Sequence, residues 1–117
     1  MQSTPADLLV FIRAVADGTL LTSESQALMR SWVPGDDLSK FGLLHRYGLG
    51  LESYSNDSIT VVGHLGNGHA HSAFVGYDAD RGTAVVVTLN ANNPGAQALM
   101  ALDALLAVAR SEPASVP

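Results

Sequence analysis

The chain has 117 residues, 47% of them hydrophobic and 15% charged, with a net charge of −5 from 11 acidic and 6 basic residues. That length holds one domain at most, and the composition is too apolar for a disordered chain. The acidic balance, with Lys40 the single lysine, excludes the cation clusters that displace counterions from nucleic acid.

Cysteine is absent, which excludes disulfides, thiolate nucleophiles and thiolate metal sites and leaves the compartment open. The start, M-Q-S-T-P-A-D, carries no basic segment of the signal-peptide kind. No apolar run reaches the roughly 20 residues that a membrane span needs.

From the N-terminus, Thr4 reads as a helix N-cap, with Pro5 at the first helical position and Asp7 in the first turn. Leu8, Phe11, Ile12 and Val15 then share one face, with Leu9 beside them, and Gly18 is the expected left-handed stop. Thr22 or Ser23 caps a second helix through Ala27, Leu28 and Met29 to about Trp32, and Pro34-Gly35-Asp36-Asp37 closes it. The expected product over residues 1–35 is a helical hairpin that buries Leu20 and Leu21 between its arms.

Leu38 to Arg46 reads as irregular or weakly extended. Tyr47 to Glu52 reads as a strand, with Tyr47, Leu49 and Leu51 on one face and Gly48 and Gly50 on the other. Ser53 to Ser58 reads as a polar turn. Three β-type segments follow, at Ile59–Val62, His71–Tyr77 and Thr83–Leu89, the last rich in β-branched residues. Asp78-Ala79-Asp80-Arg81-Gly82 is hairpin-turn chemistry. The simplest product is an antiparallel meander. Its Val85-Val86-Val87 strand, apolar on both sides of the pleat, is expected to be covered on both faces. Asn92-Asn93-Pro94 starts a last helix with Leu99, Leu102, Leu105, Leu106 and Ala109 as its apolar stripe. Glu112 to Pro117 reads as a frayed tail. The order of elements argues an α+β fold, with antiparallel strands over 43–90, a helical hairpin over 1–35 and a covering helix over 93–111, as one domain or a fragment of one.

His69 and His71 lie on one face of a strand, a spacing that can ligate zinc, with His64 and Asp78 or Asp80 as further donors. No third ligand of matching geometry is evident, so these residues read as a turn entering a strand, and no metal is expected. Gly63, Gly66 and Gly68 do not match the dinucleotide pattern and lead into a strand rather than a helix, so no cofactor is expected either. His71 and Ser72 do not lie in a nucleophile elbow.

Taken together, Y-G-L-G-L-E at 47–52, G-H-L-G at 63–66, F-V-G-Y-D-A-D-R-G and V-V-V-T-L-N resemble the C-terminal part of the serine β-lactamase and D,D-peptidase superfamily. The closest branch is the class C-like one, with its penicillin-binding-protein carboxypeptidases and esterases. The helical segment before Tyr47 and the final helix extend the resemblance over nearly the whole chain, in the family's order.

The resemblance implies that this part supplies three strands of a five-stranded antiparallel sheet. The other two strands and a first covering helix would come from the N-terminal half of the parent. It also implies that His64-Leu65-Gly66 is the family's third active-site motif. His64 would be a polar donor at the cleft wall, and Gly66 would let substrate approach. The Asn67 N–H would serve the oxyanion, with Leu65 and Gly68 beside the substrate. Leu65 stands where Thr or Ser is common, which leaves an esterase-like acyl substrate as open as a β-lactam or D,D-peptide.

Tyr54-Ser55-Asn56 spells the family's Y-x-N motif but stands between sheet strands, where Ser and Asn are turn formers. The nucleophilic S-x-x-K is absent, since the residue three before Lys40 is Asp37. The chain alone is therefore expected to be inactive, its partner being the missing N-terminal half or a second copy bound through Thr83–Leu89. The alternative is a non-catalytic interaction module that pairs through that open edge.

Overall fold

A computed structural model of the chain describes residues 1–93 and 95–111. Helix α1 spans Pro5–Asp17. The Thr4 side chain caps it by accepting from the Asp7 N–H, and Gly18 ends it with a φ of 76°. Helix α2, Ser23–Met29, is capped by Thr22 in the same way and is only 7 residues long. It docks on α1 through Gln26, whose side-chain amide donates to the Val15 carbonyl. The Leu20–Leu21 link is left outside, 55% and 42% exposed, and is not buried between the arms as expected. With a polar Gln26 making the inward contact, no apolar gap exists for the two leucines to fill.

Among the described residues the sheet has six strands in sequence order, β1 Val33–Pro34, β2 Leu44–Tyr47, β3 Glu52–Ser55, β4 Thr60–Asn67, β5 Ser72–Asp78 and β6 Thr83–Leu89. Every neighbouring pair is antiparallel. The meander of the last three strands is as expected, but the first half differs from the sequence reading. Y-G-L-G-L-E is not a strand. Tyr47 ends β2, Glu52 opens β3, and Gly48 to Leu51 turn the corner between them, with Gly50 at φ 78°. A glycine accepts that backbone at no steric cost. Ser53 to Ser55, expected as turn, belong to strand β3, and the turn is confined to Asn56–Ser58, where Asn56 Oδ1 accepts the N–H groups of Ser58 at 2.8 Å and Ile59 at 3.0 Å. Tyr54 is buried in the core, so Tyr54-Ser55-Asn56 is structural here. The segment before β2 contains a short 3-10 turn, Ser39–Phe41.

Alternation sorts the sheet into two faces. Val61, Phe74 and Tyr54 form a core with Ala98, Ala101, Leu102 and Leu105 of helix α3, Ala96–Ser111, and Leu65, Val85 and Val87 pack against it. On the other face, Ile12 and Val15 of α1 line a cavity of about 300 Å³ with Val62 and Tyr77, and the Arg13 guanidinium sits over the Tyr77 ring. Both α1 and α3 contact β6, which is thereby covered on its two faces. The buried stripe of α3 is Gln97, Ala98, Ala101, Leu102 and Leu105, and Leu99 is exposed rather than inward. The helix is apolar nearly all round, so the sheet and not the sequence decides which face goes in. Pro94, expected at the first position of this helix, and the expected tail Glu112–Pro117 lie outside the described residues.

Candidate active-site wall

The polar residues of the sheet gather where β3 ends beside β4. Glu52, the first residue of β3, pairs with Gly63, so β4 runs four residues further, through His64, Leu65, Gly66 and Asn67, without a strand on that side among the described residues. Backbone groups alternate sides in an antiparallel ladder. The Gly68 N–H donates to the His71 carbonyl at 2.8 Å, closing the hairpin to β5. By alternation Gly66 also bonds β5, while Leu65 and Asn67 direct their N–H groups to the open side. Glu52 takes the first of these, its Oε2 accepting from Leu65 N–H at 3.0 Å. The Asn67 N–H comes next along the same edge.

Glu52 is only 6% exposed and is held from behind. Its Oε1 lies 3.3 Å from His45 Nε2, and His45 Nδ1 accepts the Asp36 N–H at 2.8 Å. That donor fixes the proton of the neutral ring on Nε2, facing the carboxylate. His45 also stacks on Tyr54 at 4.7 Å between ring centroids. The Tyr54 hydroxyl is pushed well above the ordinary phenol range, first by burial and then by the charge of Glu52.

His64 points the other way from Leu65 and meets Tyr47. The Tyr47 hydroxyl is 2.9 Å from His64 Nε2, while Nδ1 faces the Leu65 carbonyl. A carbonyl only accepts, so Nδ1 carries the proton and Nε2 accepts from the Tyr47 O–H. Tyr47 and Glu52 are direct cross-strand partners, so one hairpin delivers both groups to the open end of β4.

Gly66 is exposed, and a Cβ built there would meet nothing within 4 Å. Packing within this chain therefore gives no reason for glycine at 66. Leu65 and Asn67 line a cavity of about 440 Å³ with His45, Tyr54, Leu38 and Leu102. Gly68 lies in the hairpin, its N–H engaged there, and a Cβ built on it would come within 3.0 Å of the His71 ring. Ser72 is buried and donates to the Ala91 carbonyl at 2.9 Å. Asp78 holds Arg81 at 3.0 Å, and among the described residues no three His, Cys, Asp or Glu side chains are placed to hold a metal ion.

A family model described as Beta-lactamase matches residues 1–110. The chain belongs to the β-lactamase family. A solved structure similar to this β-lactamase-family chain is that of a D-stereospecific amidohydrolase from Streptomyces sp., 28% identical, with a TM-score of 0.67. The similarity covers 77% of this chain and 26% of the amidohydrolase, so the chain spans about a quarter of that enzyme. No curated protein matches.

Three functional candidates escaped the sequence reading: Glu52, Tyr47 and Gln97. Tyr47 and Glu52 were legible only as partners across a turn, which the strand reading of 47–52 hid. Gln97 had a signal, a lone amide in the apolar register of the last helix.

Proposed function

We propose that this chain is the C-terminal portion of a serine hydrolase of the β-lactamase, D,D-carboxypeptidase and esterase type, forming one wall of its acyl-transfer site. The observation that carries the reading is the open end of β4, where a glycine without a steric role in the chain precedes a backbone N–H aimed at an unoccupied edge. In the parent, a serine outside these residues attacks the carbonyl carbon of an acyl substrate. The Asn67 N–H donates to the oxyanion, a contact worth about 3 kcal/mol in the transition state. Collapse expels the amine or alcohol with a proton, and water then cleaves the acyl-serine. His64 and Tyr47 form the polar lining beside the carbonyl, and Leu65 and the adjoining cavity bound the substrate on the side of α3. The D-stereospecific amidohydrolase adds amides of D-configured residues to the candidate substrates.

The reading is tested on the natural gene product that contains this chain. A fluorophosphonate or penicillin probe should label one serine outside residues 1–117, whereas the isolated 117-residue chain should neither label nor hydrolyse nitrocefin or p-nitrophenyl esters. Labelling of a serine within the 117 residues would overturn it. In the same product, His64→Ala should lower kcat/KM by about 10–100-fold, as loss of one positioned polar contact does, and leave the melting temperature nearly unchanged. Unfolding by His64→Ala would instead assign that residue to the fold.

A further inference from the structure

We propose that Gln97, on the first turn of α3, is a positioning residue that orients the Gly66–Asn67 peptide for oxyanion binding. The chemistry rests on the acyl-transfer reading above; the geometry does not. Gln97 is fully buried, and its Nε2 donates to Asn67 Oδ1 at 2.8 Å and to the Gly66 carbonyl at 3.4 Å. The Gly66 carbonyl can only accept, which fixes the end of the amide that faces β4. The other end, Oε1, is buried without a hydrogen-bond partner. As a space-filler, Gln97 is a poor choice, because an unbranched apolar side chain of the same length would leave no orphan acceptor.

What the amide adds is a further restraint on one peptide plane and on the side chain of Asn67. The Gly66 C=O and the Asn67 N–H belong to the same trans unit, so they point in opposite directions. The ladder to β5, in which Gly66 pairs with Ala73, sets the carbonyl on the inner side, and Gln97 adds a second donor there that keeps the N–H aimed at the open edge. Accepting a hydrogen bond at the carbonyl also polarises the unit and strengthens its N–H as a donor. The second contact, to the Asn67 side chain, holds the same residue from its other end. Beyond the β5 ladder, no other side chain among the described residues braces this peptide. β3 stops opposite Gly63, Glu52 reaches only as far as the Leu65 N–H, and Gly66 brings its own backbone freedom. Gln97 thus links the start of the C-terminal helix to the free end of the motif strand.

The experiment compares the natural gene product with its Gln97→Met and Gln97→Glu variants, the first matching the length without a donor, the second donating only when protonated. With a p-nitrophenyl ester, Gln97→Met should lower kcat by about tenfold and leave KM within about twofold, the pattern of a contact used in the transition state. Gln97→Glu should be similarly slow at neutral pH and regain activity relative to wild type as acid protonates the carboxyl. In both variants the Asn67 amide resonance should shift in the NMR spectrum, with Leu65 unchanged. Wild-type kcat in Gln97→Met, whatever its melting temperature, would make Gln97 a filler and overturn the proposal. If the wild type itself neither turns over nor labels, the acyl-transfer reading fails, and the Asn67 amide shift decides the positioning: an unchanged resonance overturns that as well.

Discussion

Replacing Glu52 with leucine should destabilise the chain by about 3 kcal/mol, because it orphans two donors at once. The Leu65 N–H loses its acceptor, and so does His45 Nε2. His45 cannot turn to find another, since its Nδ1 accepts from Asp36 and its ring is stacked on Tyr54. A buried donor left unpaired costs about 1–3 kcal/mol, and the Leu65 N–H lies at the lower end because the open edge admits water. Replacing a whole buried polar group by apolar residues can be neutral, but here only the carboxylate leaves and its partners stay. Urea unfolding of wild type, Glu52→Leu and Glu52→Gln checks this. Gln keeps one acceptor oxygen and should fall between the other two. Equal stability of all three would mean that the His45–Glu52–Leu65 link does not hold β4. If Glu52 supports the motif strand as well as the fold, its loss should also reduce activity in the parent beyond what the lost stability explains.

The parts of the fold that were legible in the sequence are those set by local chemistry. Thr4 and Thr22 cap their helices, Gly18 stops the first, and Asp78 to Gly82 turn the last hairpin. The β-branched run at Val85–Val87 could only be a strand covered on both faces. Misreadings arose where one pattern served two structures. Glycines at 48 and 50 alternate with large residues as a strand would, yet Gly50 needs the left-handed region, which a strand does not supply. Ser53 and Tyr54 sit among turn formers but are drawn into β3 by pairing with Val62 and Val61. The candidate site was legible as far as a motif of consecutive residues reaches, from His64 to Asn67. Its supports were not, because Glu52 and Gln97 come to it from another strand and from a helix at long sequence separation. Only the register of β3 against β4 and the docking of α3 bring them there.

Expressed alone, the chain should sediment as a dimer or larger species at about 50 μM, where pairing of micromolar strength is populated. Among the described residues β6 is the last strand of the sheet, and its partner β5 occupies one side only. The hydrogen-bond alternation set by Gly68 and His71 carries through β5, so that Thr83, Val85, Val87 and Leu89 bond β5 while Ala84, Val86 and Thr88 turn their backbone groups outward. This outward row holds no charge, proline or bulge of the kind that guards natural edges. Covering by α1 and α3 protects the faces of β6 but cannot pair its N–H and C=O groups, each pairing being worth about 1 kcal/mol net. A second copy joined edge to edge satisfies the row. So does an N-terminal half of the parent, whose strands would extend the sheet at the same place. Val86→Pro separates these outcomes from non-specific association. It removes an outward N–H while leaving every bond to β5 in place. The variant should be monomeric with its circular dichroism retained, and in the natural gene product the same change should lower the melting temperature by weakening the join between the halves. A well-folded wild-type monomer at that concentration would show that the edge is tolerated in water, and with it would go the reading that β6 awaits a partner.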